Sequence, residues 1–301
     1  MKKAICALLS LTVCLGIFSS CTAKKKTVQV GTATVGEGIY SYFLDLAGAS
    51  ADEADSEKTK QAQLETLKYV AVNTKFSELG FSLTAEQKSL ASKNANNLWH
   101  LFGDYYTGIG VSKGDLYKIK LSDEYRKAII RSIYDKDGTS PVAEDAIKAY
   151  YSDNYVAFKA IIELLRTTDE DGKIIPYSDE KIVALTNQFN QMKESMDDGT
   201  SFEKIEAAYL SKDIGEDDPE SEVMLISKTD RAFPTGTFDE ISKIERDSTG
   251  VFVKGDYMFL VQRIGEFRDE ANYVSNRDKC LIALESENFD EMLSAWAEKL
   301  R

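Results

Sequence analysis

The chain has 301 residues, with 37 basic and 50 acidic side chains and one His, and its formal net charge at pH 7 is −13. An acidic chain of this kind repels nucleic acids, whose binding depends on Lys and Arg at the phosphates. The lone His100 leaves no second imidazole for a metal site, and no nucleotide-binding motif is present. We therefore exclude nucleic acid as a partner and expect neither a metal nor another cofactor.

The first 20 residues have the pattern of an export signal. Lys2 and Lys3 precede an apolar stretch over residues 4–18, and small residues follow it. A stretch of this length is too short for a membrane-spanning helix, which needs about twenty apolar residues. We expect residues 1–20 to be a cleaved signal peptide. Its removal would leave 35 basic against 50 acidic side chains, a net charge of −15.

Cys21 follows these small residues directly. This position resembles that of the acylated Cys in bacterial lipoproteins, although Phe18 stands where Leu is usual. We expect Cys21 to be a lipid anchor, with residues 21–28 as a tether, on the extracytoplasmic face of the cell membrane. Ordinary cleavage that leaves a free Cys21 is the alternative. Because Cys280 is the only later cysteine, the exported chain has no disulfide framework.

Residues 29–154 are predicted to form a helical domain. A short strand-like segment comes first, and apolar residues at helical spacing follow it. Thr84 and Gln87 form a capping box, which begins a helix whose apolar stripe includes Leu101 and Phe102. Helices are expected over residues 39–46, 58–79, 85–102, around 116–119, around 129–133, and 142–151. Their apolar stripes need a common core.

The pattern changes at Tyr155. The segment "YVAFKAIIELLRTT" predicts a strand and "DEDGK" a turn. A helix, the stretch 199–213, a strand, a short helix and two strands follow, and this order indicates the α+β class. Residues 268–301 return to a helical stripe, which we expect to pack on the N-terminal helices. Residues 155–267 would then be a domain inserted into a helical domain.

Three motifs and this layout resemble the exported foldases of the PrsA and SurA type. "VGEGIYSYFLDL" resembles the start of their SurA-N-like chaperone domain, and "AEDAIKAYYSDNY" the helix before their parvulin-like (PpiC-type) peptidyl-prolyl isomerase domain. "GTSFEKIEAAYLSKD", residues 199–213, resembles the Gly-x-x-Phe-x-x-(Leu or Ile)-Ala-x-x-Tyr-Ser-x-Asp signature, with Leu210 as one extra residue. Its Gly and Ser would start a helix, with Phe202, Ile205 and Tyr209 facing a sheet. The resemblance covers nearly the whole chain after the signal.

The resemblance also implies site residues. Parvulins have two central His, an Asp or Cys near them, and an apolar pocket for proline. The two His positions fall near Ala160 and Met258, so both His are missing. Asp213 matches the catalytic acid, and Phe238, Leu225 and Met258 match the substrate-binding pocket. A simpler interpretation is that the apolar residues belong to a core and Asp213 to a helix end. The resemblance thus predicts a parvulin-like domain that is weak or inactive as an isomerase.

Tyr is unusually frequent, with 15 Tyr against 2 Trp. An aromatic ring with a polar tip suits wet, adaptable contacts, so tyrosines near the helical part are candidates for a cradle that holds unfolded chain. These are Tyr40, Tyr42, Tyr105, Tyr106, Tyr150 and Tyr151. That they are half-buried helix residues is an equally good interpretation.

The sequence therefore predicts a membrane-anchored extracytoplasmic chaperone or foldase. Its partners would be unfolded or partly folded exported polypeptides, which it would hold and release without ATP. One alternative is an active peptidyl-prolyl isomerase with a rearranged site around Asp213. Another is a lipoprotein binding module of a surface complex.

Overall fold

The computed structural model describes residues 26–48, 57–211 and 221–301. Within these ranges the chain forms ten helices and eight strands, which confirms the α+β class. The helices are α1 Glu37–Leu46, α2 Glu57–Glu78, α3 Ala85–Gly108, α4 Lys113–Tyr134, α5 Glu144–Asn154, α6 Asp179–Asp197, α7 Phe202–Leu210, α8 Thr237–Lys243, α9 Glu270–Leu284 and α10 Ser286–Glu298. The strands are β1 Thr27–Val30, β2 Ala33–Gly36, β3 Tyr155–Leu164, β4 Arg166–Thr168, β5 Ile174–Pro176, β6 Met224–Ser227, β7 Thr249–Lys254 and β8 Tyr257–Ile264.

The chain divides into two compact units. Unit 1 comprises the residues up to Tyr125 together with Leu293–Arg301, and unit 2 comprises Arg126–Met292. The division falls inside α4 and α10. The sequence placed the domain boundaries at 154 and 267, and those boundaries stay a prediction.

The β1–β2 hairpin and the end of the chain share a core in unit 1. The buried members of this core are Val30, Val35, Leu67 and Ala297. Gly31 lies at the hairpin turn with φ +57°, and its missing side chain leaves room for the carbonyl of Leu300. The backbone N–H of Thr32 donates to that same carbonyl at 2.8 Å. The last residues of the chain thus complete the core that the first described residues begin.

Unit 2 contains a four-stranded antiparallel sheet in the order β6-β3-β8-β7. The central strands β3 and β8 are paired from Ala157 opposite Ile264 to Leu164 opposite Tyr257. Both strands are apolar over most of their length, as expected for strands that are covered on both faces. β6 pairs only with the first four residues of β3.

Helices cover both faces of this sheet, and strand alternation sends neighbouring residues to opposite sides. On one face, Ile241 of α8 packs with Phe158 and Phe259. On the other, Phe189 of α6 packs with Ile161, and α7 adds its own apolar side. We call these the α8 face and the α6/α7 face.

Two helix assignments differ from the expectation. The two short helices expected around residues 116–119 and 129–133 are a single helix, α4. No Gly or Pro lies between residues 119 and 129. The polar Ser122 in this stretch is held by Asn73, whose Nδ2 donates to the Ser122 hydroxyl at 3.0 Å. The C-terminal stripe forms two helices that separate at Glu285, where neither Gly nor Pro marks a break.

Charged side chains connect α4, α5 and α9 within unit 2. Arg277 of α9 lies 2.8 Å from a carboxylate oxygen of Glu144, at the start of α5, and 3.0 Å from Asp135, just after α4. The hydroxyl of Tyr273 also donates to Glu144. The hydrogen bonds from Arg277 hold the pKa of Glu144 below its usual value. One guanidinium therefore joins α9 to the start of α5 and to the residue just after α4.

Arg277→Ala is expected to destabilise unit 2 at pH 7 by about 1–2 kcal/mol, because the lost pairs are only partly buried. The lowered pKa of Glu144 means that the pair stabilises the fold above the ordinary Glu pKa of about 4.3. This stabilisation is lost as the pH falls through the lower pKa of the folded state. The difference in the free energy of unfolding between Arg277→Ala and the original protein should therefore become smaller at acid pH.

Both Trp residues, Trp99 and Trp296, belong to unit 1, so Trp fluorescence does not report on unit 2. Amide hydrogen exchange in β3 and β8 measures the free energy of unfolding of unit 2. Lys279→Ala, at an exposed position of the same helix, is the matched control and should change exchange little. If Arg277→Ala lowered the free energy of unfolding equally at acid and neutral pH, the stabilising role of the pair between Arg277 and Glu144 would be contradicted.

Candidate functional site

Two predicted site residues lie outside the described residues. Cys21, the expected lipid anchor, and Asp213, the expected catalytic acid, fall in parts of the chain that the structure does not describe. Both assignments stay predictions. No helix among the described residues is long and apolar enough to cross a membrane. Within residues 26–48, 57–211 and 221–301, no three His, Cys, Asp or Glu side chains are placed to hold a metal ion.

The structure does not place the three residues predicted to form a substrate pocket on one face of the sheet. Phe238 of α8 is 9% exposed and packs in the cluster on the α8 face. Met258 of β8 is fully buried on the α6/α7 face. Leu225 lies on β6 between Met224 and Ile226, which pack with Phe238, so strand alternation directs Leu225 to the opposite face. Phe238 and Met258 therefore do not line one pocket.

The positions matched to the two missing His also lie on opposite faces. Ala160 packs on the α8 face and pairs with Val261 of β8, whereas Met258 packs on the α6/α7 face. A shift of one residue along a strand reverses the face, so the β8 positions that share a face with Ala160 are Phe259 and Val261. Whether the second His position falls on Met258 or, after a shift of one residue, on Phe259, the residue there is apolar.

Aromatic rings fill the α8 face. Phe252 stacks on Phe259 with ring centres 4.9 Å apart, and Phe233 meets Phe158 edge to face at 5.8 Å. The described residues of this cluster include no carboxylate, imidazole or thiol. Tyr257 supplies the one hydroxyl among the residues grouped in this cluster.

The stretch 199–213 forms α7 as far as Leu210. Gly199 has φ +98°, and Ser201 is the N-cap, whose hydroxyl accepts a hydrogen bond from the Lys204 N–H. Ser211 ends the helix in the left-handed conformation, with φ +53°. This confirms that the Gly and Ser start a helix.

The inner side of α7 faces the sheet, as predicted, since Phe202, Ile205 and Tyr209 all pack on the α6/α7 face. The Tyr209 hydroxyl donates to Glu163 of β3 at 2.7 Å, and the Tyr177 hydroxyl donates to the same carboxylate at 3.2 Å. Burial and this hydrogen bond raise the pKa of Tyr209. Over its described part, the stretch therefore anchors α7 to the centre of the sheet.

The tyrosines predicted to line a cradle occupy three environments. Tyr105 is 55% exposed, whereas Tyr151 is completely buried and is a core residue of unit 2. The half-buried ones are Tyr40, Tyr42, Tyr106 and Tyr150. Of the six, Tyr105 is therefore the one most accessible to a partner.

Large apolar side chains are exposed around a kink in α3. Leu101 is 68% exposed, Phe102 50% and Tyr105 55%, and Leu46 at the end of α1 is 65% exposed. Phe102 departs from helical geometry, with φ −135° and ψ 21°. We call these four residues the kink patch. Single exposed apolar residues are common on protein surfaces, but grouped ones mark interaction sites.

Contacts between α1 and α3 hold the kink patch in place. The ring of Tyr106 stacks on Tyr42 with centres 6.3 Å apart. The Tyr105 hydroxyl donates to Asp45, which raises the pKa of Tyr105. Because Leu46 follows Asp45 directly, this bond brings the end of α1 to the patch.

The kink is the feature that the sequence interpretation missed. A regular helical stripe predicted Leu101 and Phe102 on the inner side of α3, but at the kink both side chains are exposed. The available signal was Gly103, a poor helix former inside a helical pattern. The ring of Trp99 lies close to where a Gly103 side chain would be. An open depression of about 300 Å³, lined mainly by residues 99–105, lies at this point.

Comparison with known protein families and with curated proteins gave no match. Among solved structures, foldase protein PrsA from Streptococcus pneumoniae is 8% identical, with a TM-score of 0.42 over 90% of this chain and 92% of that one. PrsA from Lactococcus lactis is 10% identical (TM-score 0.38, 92% and 91% covered) and PrsA from Bacillus subtilis 12% identical (TM-score 0.34, 92% and 91% covered). All three are foldases of the PrsA type, which the sequence motifs resemble.

Proposed function

We propose that this protein is a membrane-tethered extracytoplasmic chaperone that binds apolar segments of exported polypeptides before they fold. The kink patch carries this proposal, because its four large side chains are each at least half exposed. A partly folded chain exposes apolar segments that aggregate. Covering such a segment with another apolar surface lowers the free energy of both.

The kink patch suits reversible binding. Complete burial of a Leu or Phe side chain contributes about 1.5–3 kcal/mol, but these side chains are already partly covered and association loses translational entropy. The net affinity for any one segment is then modest, and release needs no ATP. The net charge of −15 expected after removal of residues 1–20 favours solubility while the protein carries an apolar client.

Combined Leu101→Ser and Phe102→Ser replacements are expected to weaken suppression of client aggregation. The loss of two apolar side chains should lower client affinity about tenfold. Light scattering of a chemically unfolded test protein, diluted into buffer with increasing amounts of each variant, measures this effect.

Leu79→Ser combined with Leu90→Ser is the matched control. These leucines also belong to unit 1, are 41% and 44% exposed, and lie outside the kink patch. The control should suppress aggregation as the original protein does. Failure of the original protein to suppress aggregation of any client would refute the chaperone proposal. Equal losses in both double variants would refute the role of the patch.

We further propose that unit 2 is weak or inactive as a prolyl isomerase. Rotation about an X-Pro bond has a barrier of about 18–20 kcal/mol, and a catalyst must stabilise the twisted amide more than the planar one. Apolar side chains occupy both positions matched to the family's His, Ala160 on the α8 face and Met258 on the α6/α7 face. Among the residues of the described cluster on the α8 face, Tyr257 alone carries a hydroxyl, and no charged or imidazole group is available to stabilise a twisted amide.

An isomerisation assay with a proline-containing peptide should therefore show no rate above the uncatalysed one. Acceleration that disappears in Asp213→Ala would instead establish an active isomerase with a rearranged site. Acceleration that survives this replacement would also contradict the proposal and would place the site elsewhere.

The membrane tether is proposed to be an acyl chain on Cys21. Its support is the sequence alone, in which small residues and Cys21 follow a short apolar stretch. Metabolic labelling with a fatty-acid analogue should mark the protein and should be lost in Cys21→Ala. Labelling that is unchanged in this variant, or absent from the original, would contradict the anchor.

A further inference from the structure

A polar cleft opens in unit 2 where β8 leads into α9. Its volume is about 310 Å³, at the lower end of the range of about 300–1,000 Å³ for small-molecule sites. The lining residues are Ala157, Lys159, Val223, Ile264, Gly265, Glu266, Arg268, Asp269 and Asn272. Lys159 pairs with Glu203 of α7, which places the cleft on the α6/α7 face, away from the aromatic core.

The two acidic residues that line the cleft are already engaged by groups of unit 2. Glu266 is 2% exposed and lies 2.5 Å from Arg263 and 2.8 Å from Arg246. Asp269 is the N-cap of α9, and its carboxylate accepts the Ala271 N–H at 3.0 Å. The charge of Glu266 is therefore compensated by two arginines, and Asp269 is engaged as the N-cap of α9.

The unengaged groups of the cleft include a strong cationic donor. Among the described residues, the Arg268 guanidinium and the Asn272 carboxamide have no hydrogen-bond or ion-pair partner. The ammonium of Lys159 lies 2.5 Å from Glu203. Within the described parts of unit 2, the side-chain N–H donors of Arg268 and Asn272 are therefore unengaged.

The backbone that carries Arg268 is held in place. Its N–H donates to the carbonyl of Gly265 at 2.9 Å, which closes a turn after β8. Within this turn Glu266 is ion-paired, and the Phe267 ring packs against Tyr151 with centres 5.5 Å apart. A donor on a fixed backbone loses less entropy on binding than one on a free loop.

We propose that this cleft binds a carboxylate of a polypeptide, with Arg268 and Asn272 as donors. A guanidinium matches a planar carboxylate through two parallel N–H bonds. Ala157, Val223 and Ile264 form an apolar wall for the aliphatic part of the same residue. The carboxylate comes either from a chain terminus or from an Asp or Glu side chain. That a polypeptide carries it rests on the proposed function.

The test is an NMR titration of the 15N-labelled protein with three peptides. They are N-acetyl-Ala-Ala-Ala with a free carboxylate, its C-terminal amide, and N-acetyl-Ala-Glu-Ala amide. The free-carboxylate peptide should shift the Gly265 backbone and Asn272 side-chain resonances, with a dissociation constant roughly in the millimolar range because one exposed guanidinium dominates the contact. The uncharged Ala amide should shift neither. The Glu peptide shows whether side-chain carboxylates also bind.

Arg268→Ala should weaken binding of the free-carboxylate peptide at least tenfold. Arg231→Ala, an exposed arginine of unit 2 outside the cleft, is the matched control and should leave binding unchanged. Equal binding of the acid and the Ala amide, no binding of either carboxylate peptide, or no effect of Arg268→Ala would overturn the proposal. The titration measures binding at the cleft itself, whereas the aggregation test measures the chaperone activity proposed for the kink patch. Failure of one proposal can therefore be told from failure of the other.

Discussion

The register between β3 and β8 determines what each face of the sheet in unit 2 can do. Pairing of Ala160 with Val261 places both side chains on the α8 face. The same alternation places Lys159 and Glu163 on the α6/α7 face, where Glu203 and Tyr209 satisfy them. A slip of one residue would send both charged groups into the aromatic core, at a cost of several kcal/mol each.

This separation gives the two faces different chemistry. The α8 face is a close-packed aromatic cluster. The α6/α7 face carries the buried ion pair of Lys159, the carboxylate of Glu163 and, at its end, the cleft with Arg268. If unit 2 binds polypeptide, its available polar groups favour recognition of a charged group over catalysis on an amide.

In unit 1 a local departure from regular helix creates the surface proposed to bind clients. A regular α3 would continue its apolar stripe past Leu101, but the chain kinks at Phe102 and exposes both side chains. Exposed apolar side chains bring no folding stability, so they violate the rule that helices bury their apolar face. Such violations are expected at functional surfaces, where another molecule supplies the missing cover.

The sequence by itself determined the features that depend on nearby residues. The α+β class, the capping box of Thr84 and Gln87, the start of α7 at Ser201 and most element positions are confirmed, because caps, turns and periodicity act over a few residues. For the candidate site it supplied the residues Leu101, Phe102 and Tyr105 but predicted the first two on the inner side of the helix.

Only the tertiary structure decided features that join distant parts of the chain. These include the face on which Met258 lies, the exposure of Leu101, the pairing of Arg277 with Glu144, and the cleft beside Arg268. Each depends on contacts between residues far apart in sequence, or on one residue of register, which periodicity alone leaves undetermined. Local pattern therefore determined which elements form, and packing between them decided which side chains remain available for binding.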